Sequence, residues 1–354
     1  MWCRKLAEKI GVTFPIIQAP MAGGATTPEL VAGVSNAGGL GSLGAGYMSP
    51  TEIRSAIRKI RELTNKPFAV NLFIPEHNQA TSNQMQRACR DIQQSCIELD
   101  LEIKPVTAPY APSFAEQIKV LIEEKIPVFS YAFGLLDLGW ISQFKMNHTF
   151  LMGTATNLEE AYELEKNGVD ALVAQGSEAG GHRGTFLGKA EDSLIGLFSL
   201  LPQLVDKLKI PIIAAGGIMD GRGIIAATDL GADGVQMGTA FLTCSESGIA
   251  DGYKNTLLMQ YQDNTVLTRA FSGKLARGIR NKFIERMNEK KTNILNYPIQ
   301  NVLTTTMRKK AKEEQNIDFM SMWSGQSAQL CRKLSASELI NALIFEVEAL
   351  KLNH

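Results

Sequence analysis

His182 has the setting in this 354-residue chain that points most directly to chemistry. It stands in Gln175-Gly-Ser-Glu-Ala-Gly-Gly-His182-Arg-Gly, flanked by Gly180, Gly181 and Gly184. Glycines let a backbone pass close to a planar ligand, because no Cβ intervenes. An imidazole there can take or give a proton at a reacting carbon, or hold an anion when protonated. His77, His148 and His354 lack such surroundings and read as structural or exposed. Arg183 and Glu178 can pair with each other or with helix ends, and no chemistry is assigned to them.

Two glycine turns suit an anion. Ala215-Gly216-Gly217-Ile218 and Gln236-Met237-Gly238-Thr239 each follow an apolar run. Glycine amides can approach a phosphate, a helix N-terminus adds its positive end, and Thr239 adds a hydroxyl. One such turn could be only a tight corner, but two on successive strands fit the place where barrels bind phosphate. Asn71 and Gln175 end apolar runs as well. A carboxamide both donates and accepts, which suits the pyrimidine edge of a flavin and equally suits capping a strand. Cys3, Cys89, Cys96, Cys244 and Cys331 are scattered without a C-x-x-C pair, so free thiols are expected, not disulfides or a zinc site. Cys244 has no base beside it in sequence.

The elements that must carry these residues recur as a unit of apolar run, glycine stop and capped helix, which implies parallel strands with helical crossovers. The runs are 14–19, 40–43, 68–73, 127–133, 149–153, 171–174, 211–215 and 234–237. There are eight of them, the barrel number. Helix starts are marked by Thr27-Pro28 and by the pairs Ser49/Glu52, Ser113/Glu116 and Asn157/Glu160, which have capping-box spacing. Asn36-Ala-Gly-Gly-Leu40, Asn167-Gly-Val-Asp-Ala171 and Leu230-Gly-Ala-Asp-Gly234 repeat one helix-to-strand corner. The fold expected is an α/β TIM (β/α)8 barrel built from 1–75, 104–243 and 326–354. Its last helix carries Leu339, Ile340, Leu343, Ile344 and Val347 at helical spacing. Residues 76–103 and 244–325 form a smaller, mainly helical lid or substrate domain, and 245–325 carries no strand signal.

Composition removes several function classes. Thirty-six basic residues balance 36 acidic ones, so nothing draws the whole chain to nucleic acid or an anionic membrane. The densest basic run, Arg308-Lys-Lys-Ala-Lys312, is followed by Glu313-Glu314 and reads as a solvated helix face. No apolar stretch approaches the roughly 20 residues of a membrane span, and Met1-Trp-Cys-Arg-Lys5 leads into a polar helix, so a soluble cytoplasmic protein is expected.

Taken together, Gln18-Ala-Pro-Met-Ala-Gly-Gly24, the His182 loop, Ala214-Ala-Gly-Gly-Ile218 with Gly223, and Gly231-Ala-Asp-Gly-Val-Gln-Met-Gly-Thr239 resemble the nitronate monooxygenases, formerly 2-nitropropane dioxygenases. Trp323-Ser-Gly-Gln326 is similar to that family's late Gly-Gln element. The resemblance implies an FMN-dependent enzyme that oxidises alkyl nitronates, propionate 3-nitronate among them, with O2. The products would be a carbonyl compound with nitrite or nitrate, the role detoxification, and the protein a monomer or homodimer. It implies that Asn71, Gln175, Gly180, Gly217, Gln236, Met237, Gly238 and Thr239 bind FMN, that Met21 lies against the isoalloxazine, and that His182 is catalytic. Tyr253, Tyr261 and Tyr297 are candidate substrate contacts. The alternative is a flavin-dependent NAD(P)H enoyl-acyl-carrier-protein reductase, which shares the Glu-Ala-Gly-Gly-His loop. A colourless barrel isomerase or lyase and a flavin carrier without turnover are further alternatives.

Overall fold

Short apolar runs without polar alternation have to be covered on both faces, and a parallel sheet wrapped in helices does this. The computed structural model describes residues 4–289 and 293–352, so Cys3 and His354 lie outside the described residues. Its strands are β1 Ile16–Gln18, β2 Gly41–Gly44, β3 Phe68–Phe73, β4 Val128–Ala132, β5 Phe150–Ala155, β6 Ala171–Gln175, β7 Gly181–His182, β8 Ile212–Ala215, β9 Gly234–Met237, β10 Thr265–Thr268 and β11 Ala276–Ile279. Eight of them form one parallel sheet in the order β1-β9-β8-β6-β5-β4-β3-β2. An Ile17–Leu40 bridge joins its two edges into a barrel. The fully buried Gln18 side chain adds two rungs at that seam, donating to Ser42 O (3.2 Å) and accepting from Ser42 N (3.0 Å). An amide so buried must be bonded, since leaving it unpaired costs about 1–3 kcal/mol.

The barrel interior is filled by Ile17, Ala69, Val128, Met152, Val173 and Ile213, with Leu6 and Ile10 of the helix Arg4–Ile10 in the same cluster. Leu6 packs against Gly234 at the start of β9 and so stops the amino-terminal end. The outer layer buries one stripe per helix. Ile53, Ile57 and Ile60 of Pro50–Leu63 line up at helical spacing, each burial stabilising by about 1.5–3 kcal/mol. The Ser49/Glu52 capping box is complete, and Thr27 caps a helix whose first residue is Pro28. Ser113 and Asn157 accept the expected N–H of the third helical residue, but neither box closes. The Glu160 carboxylate instead accepts from Thr156 N (2.7 Å), Phe186 N (2.6 Å) and Leu187 N (3.0 Å), bracing the chain just beyond His182. The repeated corner uses left-handed Gly38, Gly168 and Gly231, with φ of 91°, 96° and 98°. The helix Ala336–Leu352 packs against both Pro28–Asn36 and Gly221–Asp229 and completes the helical ring.

A second apolar cluster joins Met85, Ala88, Ile92 and Cys96 of the helix Ser82–Ile97 to Phe271, Phe283, Met287 and Ile299. Met21 touches both clusters. The expectation of no strand within 245–325 is corrected. β10 pairs antiparallel with β11, and β11 with β7, so His182 lies on a strand and not on a free loop. β11, Ala-Arg-Gly-Ile, carries little local β signal, and β10, Thr-Val-Leu-Thr, is β-favouring but only four residues long, so the ribbon exists through tertiary pairing. Among the described residues no helix is long and apolar enough to cross a membrane.

Candidate active site

Strand parity delivers the polar residues to one place. Side chains on a strand alternate, so a residue two positions beyond an inward one also points inward. Ala69, Val128 and Val173 point into the barrel, and two residues later stand Asn71, Ser130 and Gln175 at the carboxyl end. Gln236 takes the same position two residues after Gly234 on β9. Asn71 is buried and its side chain donates to Ser130 Oγ (2.9 Å), leaving its side-chain carbonyl without a partner among the described residues. Gln175 is committed to the ribbon: its amide donates to His182 O (3.0 Å) and accepts from Gly184 N (2.8 Å). The Gln236 carboxamide has no partner among the described residues, and neither of its polar atoms is sealed off. Met237 turns the other way. Its side chain is buried in the outer core and its carbonyl accepts from Ala19 N (2.9 Å), so it brings no side chain to the mouth.

His182 is held by the ribbon, opposite Ala276 in register, with Arg183 N donating to Leu275 O (2.8 Å). Its Nε2 lies 2.7 Å from Ser272 Oγ. Trp323, Phe133 and Tyr297 surround the ring with centroids at 5.2, 6.0 and 6.3 Å. The imidazole is half-buried. Burial, and then the Lys274 and Arg308 cations, push its pKa down to about 3. His182 is therefore neutral near pH 7. The positive charge available to an anion beside this neutral ring is that of Lys274 and Arg308.

Arg308 corrects a second expectation. It belongs to the run read as a solvated face, and Lys310 and Lys312 do face outward, toward Glu314 and Gly248 O. Arg308 turns inward, donating to Asn301 O (2.7 Å) and Thr304 Oγ1 (3.1 Å), with no carboxylate partner among the described residues. Burial lowers its pKa, and the nearby Tyr47 opposes that shift. The Tyr47 hydroxyl is buried beside Tyr297 and Arg308, and burial pushes its pKa up. Lys274 sits 4.4 Å above the Phe133 ring and pairs with Glu76 at 2.6 Å. Phe133 holds φ of 76°, a strained value for a side chain of its size.

The glycines form a second pole. Gly216 and Gly217 adopt φ of 120° and 71°, and the N–H groups of Gly180 and Gly217 bond nothing among the described residues. Gly238 precedes the short helix Thr239–Leu242, and Met21 Sδ lies 3.9 Å from where a Cβ on Gly238 would stand. Across these turns runs a strap at 324–327. Gly325 N donates to Thr239 Oγ1 (3.0 Å) and Gln326 N to Glu178 O (3.0 Å). Fully buried Arg183 donates to the carbonyls of Gln175 (3.1 Å), Gly176 (2.6 Å) and Ser193 (3.0 Å). Glu178 caps the helix Leu197–Val205 through Leu197 N (2.8 Å), the helix-end role open to it.

Of the three tyrosines named from sequence, Tyr297 alone reaches His182. The buried Tyr253 hydroxyl bonds Trp323 O, and Tyr261 is 86% exposed. Sequence reasoning missed Tyr47, Ser130, Phe133 and Ser272. Tyr47 and Phe133 follow the carboxyl ends of β2 and β4, a signal that could have flagged them; Ser272 gives none.

A family model for nitronate monooxygenase matches residues 4–346. A probable nitronate monooxygenase of Staphylococcus aureus is 44% identical over 349 residues, 98% of each chain. A solved structure of nitroalkane oxidase from Streptomyces ansochromogenes superposes with a TM-score of 0.92 at 36% identity, covering 98% of this chain and 99% of that one. FabK from Thermotoga maritima superposes with a TM-score of 0.78 at 31% identity, covering 99% and 97%. The chain belongs to the nitronate monooxygenase family, a family of oxidoreductases.

Proposed function

We propose that this protein is an FMN-dependent nitronate monooxygenase. It would oxidise alkyl nitronates with O2 to a carbonyl compound and nitrite or nitrate, with propionate 3-nitronate as substrate and detoxification as its role. One observation carries the substrate reading: a neutral imidazole stands beside two cations, one of them without a carboxylate partner among the described residues, and a buried tyrosine hydroxyl. A nitronate is an anion, and a carboxylated one carries a second negative charge for Arg308. A buried cation without a counter-charge favours whatever anion supplies one.

The residues present fit FMN. Free amides at Gly180 and Gly217, together with the Gly238–Thr239 turn, suit a phosphate, while the open Gln236 amide and Asn71 carbonyl suit a ring edge that alternates donors and acceptors. Gln175 has one N–H left after its two ribbon contacts, so its main work is placing His182. Met21, at the junction of both apolar clusters beside Gly238, would pack on a ring laid there. Bound flavin would supply electron transfer between substrate and oxygen. The protein's own part is to orient the anion through Arg308, Lys274 and Tyr47, with His182 beside it as the group able to take a proton from a neutral nitroalkane. Aromatic walls from Phe133, Tyr297 and Trp323 keep water away. In this reading 76–103 and 244–325 act as one cap over the mouth.

The test is oxygen uptake by the purified protein on adding propionate 3-nitronate without NAD(P)H, with the flavin spectrum recorded first and the extracted flavin identified. Rapid uptake by a yellow protein whose flavin is FMN is the expected result. A yellow protein inert to nitronates and bleached anaerobically by NADPH would replace this reading with the enoyl reductase.

A further inference from the structure

Ser272 is buried in the turn between β10 and β11, and its Oγ lies 2.7 Å from His182 Nε2. Its hydroxyl has one proton to give. Lys274 O lies 3.2 Å from Ser272 Oγ and accepts from no other group among the described residues. Lys274 N approaches the same oxygen at 3.3 Å and can only donate. If the hydroxyl proton goes to Lys274 O, the oxygen keeps two lone pairs, one for Lys274 N–H and one for His182 Nε2. Every group is then satisfied, but only if Nε2 carries the imidazole's single proton. The other arrangement sends the hydroxyl proton to Nε2 and leaves Lys274 O without a partner among the described residues, one hydrogen bond fewer in the turn.

His182 Nδ1 makes no hydrogen bond among the described residues and is not sealed from solvent space. It is the ring nitrogen available to a ligand. We infer that Ser272 is a positioning residue that fixes His182 as the Nε2–H tautomer and so presents the bare Nδ1 lone pair to the substrate. The consequence concerns proton acceptance. With Nδ1 bare, the site can take a proton from the carbon next to a nitro group: the C–H bond breaks, its electron pair stays on the substrate as the nitronate, and the proton forms an Nδ1–H bond. The resulting imidazolium keeps its Nε2–H···Oγ bond to Ser272, so no hydroxyl need rotate during the transfer. Phe133, Tyr297 and Trp323 pack around the ring, with centroids 6.0, 6.3 and 5.2 Å away.

This inference rests on His182 being the proton-handling group, and the experiment separates the two. In holoenzyme labelled with 15N-histidine, the His182 ring resonances, assigned by their loss in His182→Asn, report the tautomer directly at pH 8. The expected pattern is a protonated Nε2 and a bare Nδ1. Ser272→Ala should shift it toward the other tautomer or a mixture and slow turnover of a neutral nitroalkane by about tenfold, with turnover of the preformed nitronate changed much less. Ser272→Thr, which keeps the hydroxyl, should restore the wild-type pattern. A bare Nε2 in the wild type, or an unchanged tautomer in a folded Ser272→Ala, would overturn the role of Ser272. Full turnover by His182→Asn would instead remove the reading of His182 beneath it.

Discussion

An imidazole whose pKa is pushed down to about 3 gives a pH profile that an ordinary histidine does not. At pH 5 such a ring is roughly 1% protonated, whereas one at the usual value of about 6.5 would be about 97% protonated. If His182 works in its neutral form, kcat/KM for a nitronate measured by oxygen uptake should show no imidazole limb between pH 8 and 5. Burial is the largest cause, with the Lys274 and Arg308 cations adding to it, so the double variant Lys274→Met/Arg308→Met should move the limb upward. Stability follows with a definite sign. The folded pKa is depressed, so between about pH 6.5 and 3 the unfolded chain takes up a proton that the folded chain does not, and acidification destabilises. From pH 7 to 5 the loss assigned to this ring is about 2 kcal/mol. Denaturant melts of wild type and His182→Asn, whose side chain does not titrate, should differ in their pH 7-to-5 change by about that amount. A limb near the ordinary histidine value, abolished in His182→Asn, would refute the reasoning.

Three further outcomes are expected. Gly180→Ala would place a Cβ 2.5 Å from Gly325 N and from Ser324 C, where backbone must move; about 1–3 kcal/mol of overpacking should appear as a lowered Tm and weakened flavin retention, read by fluorescence of released flavin. Arg308→Met should raise KM for a carboxylated nitronate at least tenfold more than for an uncharged-tail alkyl nitronate of equal length, consistent with about 1.5–3 kcal/mol for a charge-assisted contact; equal effects on both would exclude Arg308 as the carboxylate partner. Arg183→Met strands three carbonyls that now share a buried guanidinium, so a stability loss of about 3 kcal/mol or more is expected in urea melts, and an unchanged midpoint would show that these bonds contribute nothing net.

What the sequence determined by itself was whatever local chemistry encodes. Eight apolar runs with glycine stops specified the barrel strands, and β3 and β9 fall where the pattern ends them, because a strand buried on both faces leaves an unbroken apolar signature. Thr27, Ser49, Gly168 and Gly231 announced helix ends because capping and left-handed backbone need those residue types nearby in the chain. Strand ends also placed Asn71, Gln175 and Gln236 at one mouth, since parity and a carboxyl-end position suffice. Tertiary structure decided the rest. β10 and β11 are strands because they pair with each other and with the segment carrying His182; Ala-Arg-Gly-Ile has little strand propensity, and Thr-Val-Leu-Thr is too short for its β-branched residues to announce a partner. Arg308 faces the site while Lys310 faces solvent because the helix Thr305–Glu313 docks in one orientation, and a basic run does not encode its rotation. Ser272 meets His182 across 90 residues of chain, and Thr239 meets Gly325 across 86. The charge state of His182 arises from burial and from cations brought by two separate segments. Long-range fields and shared hydrogen bonds depend on distances through space, which spacing along the chain does not contain.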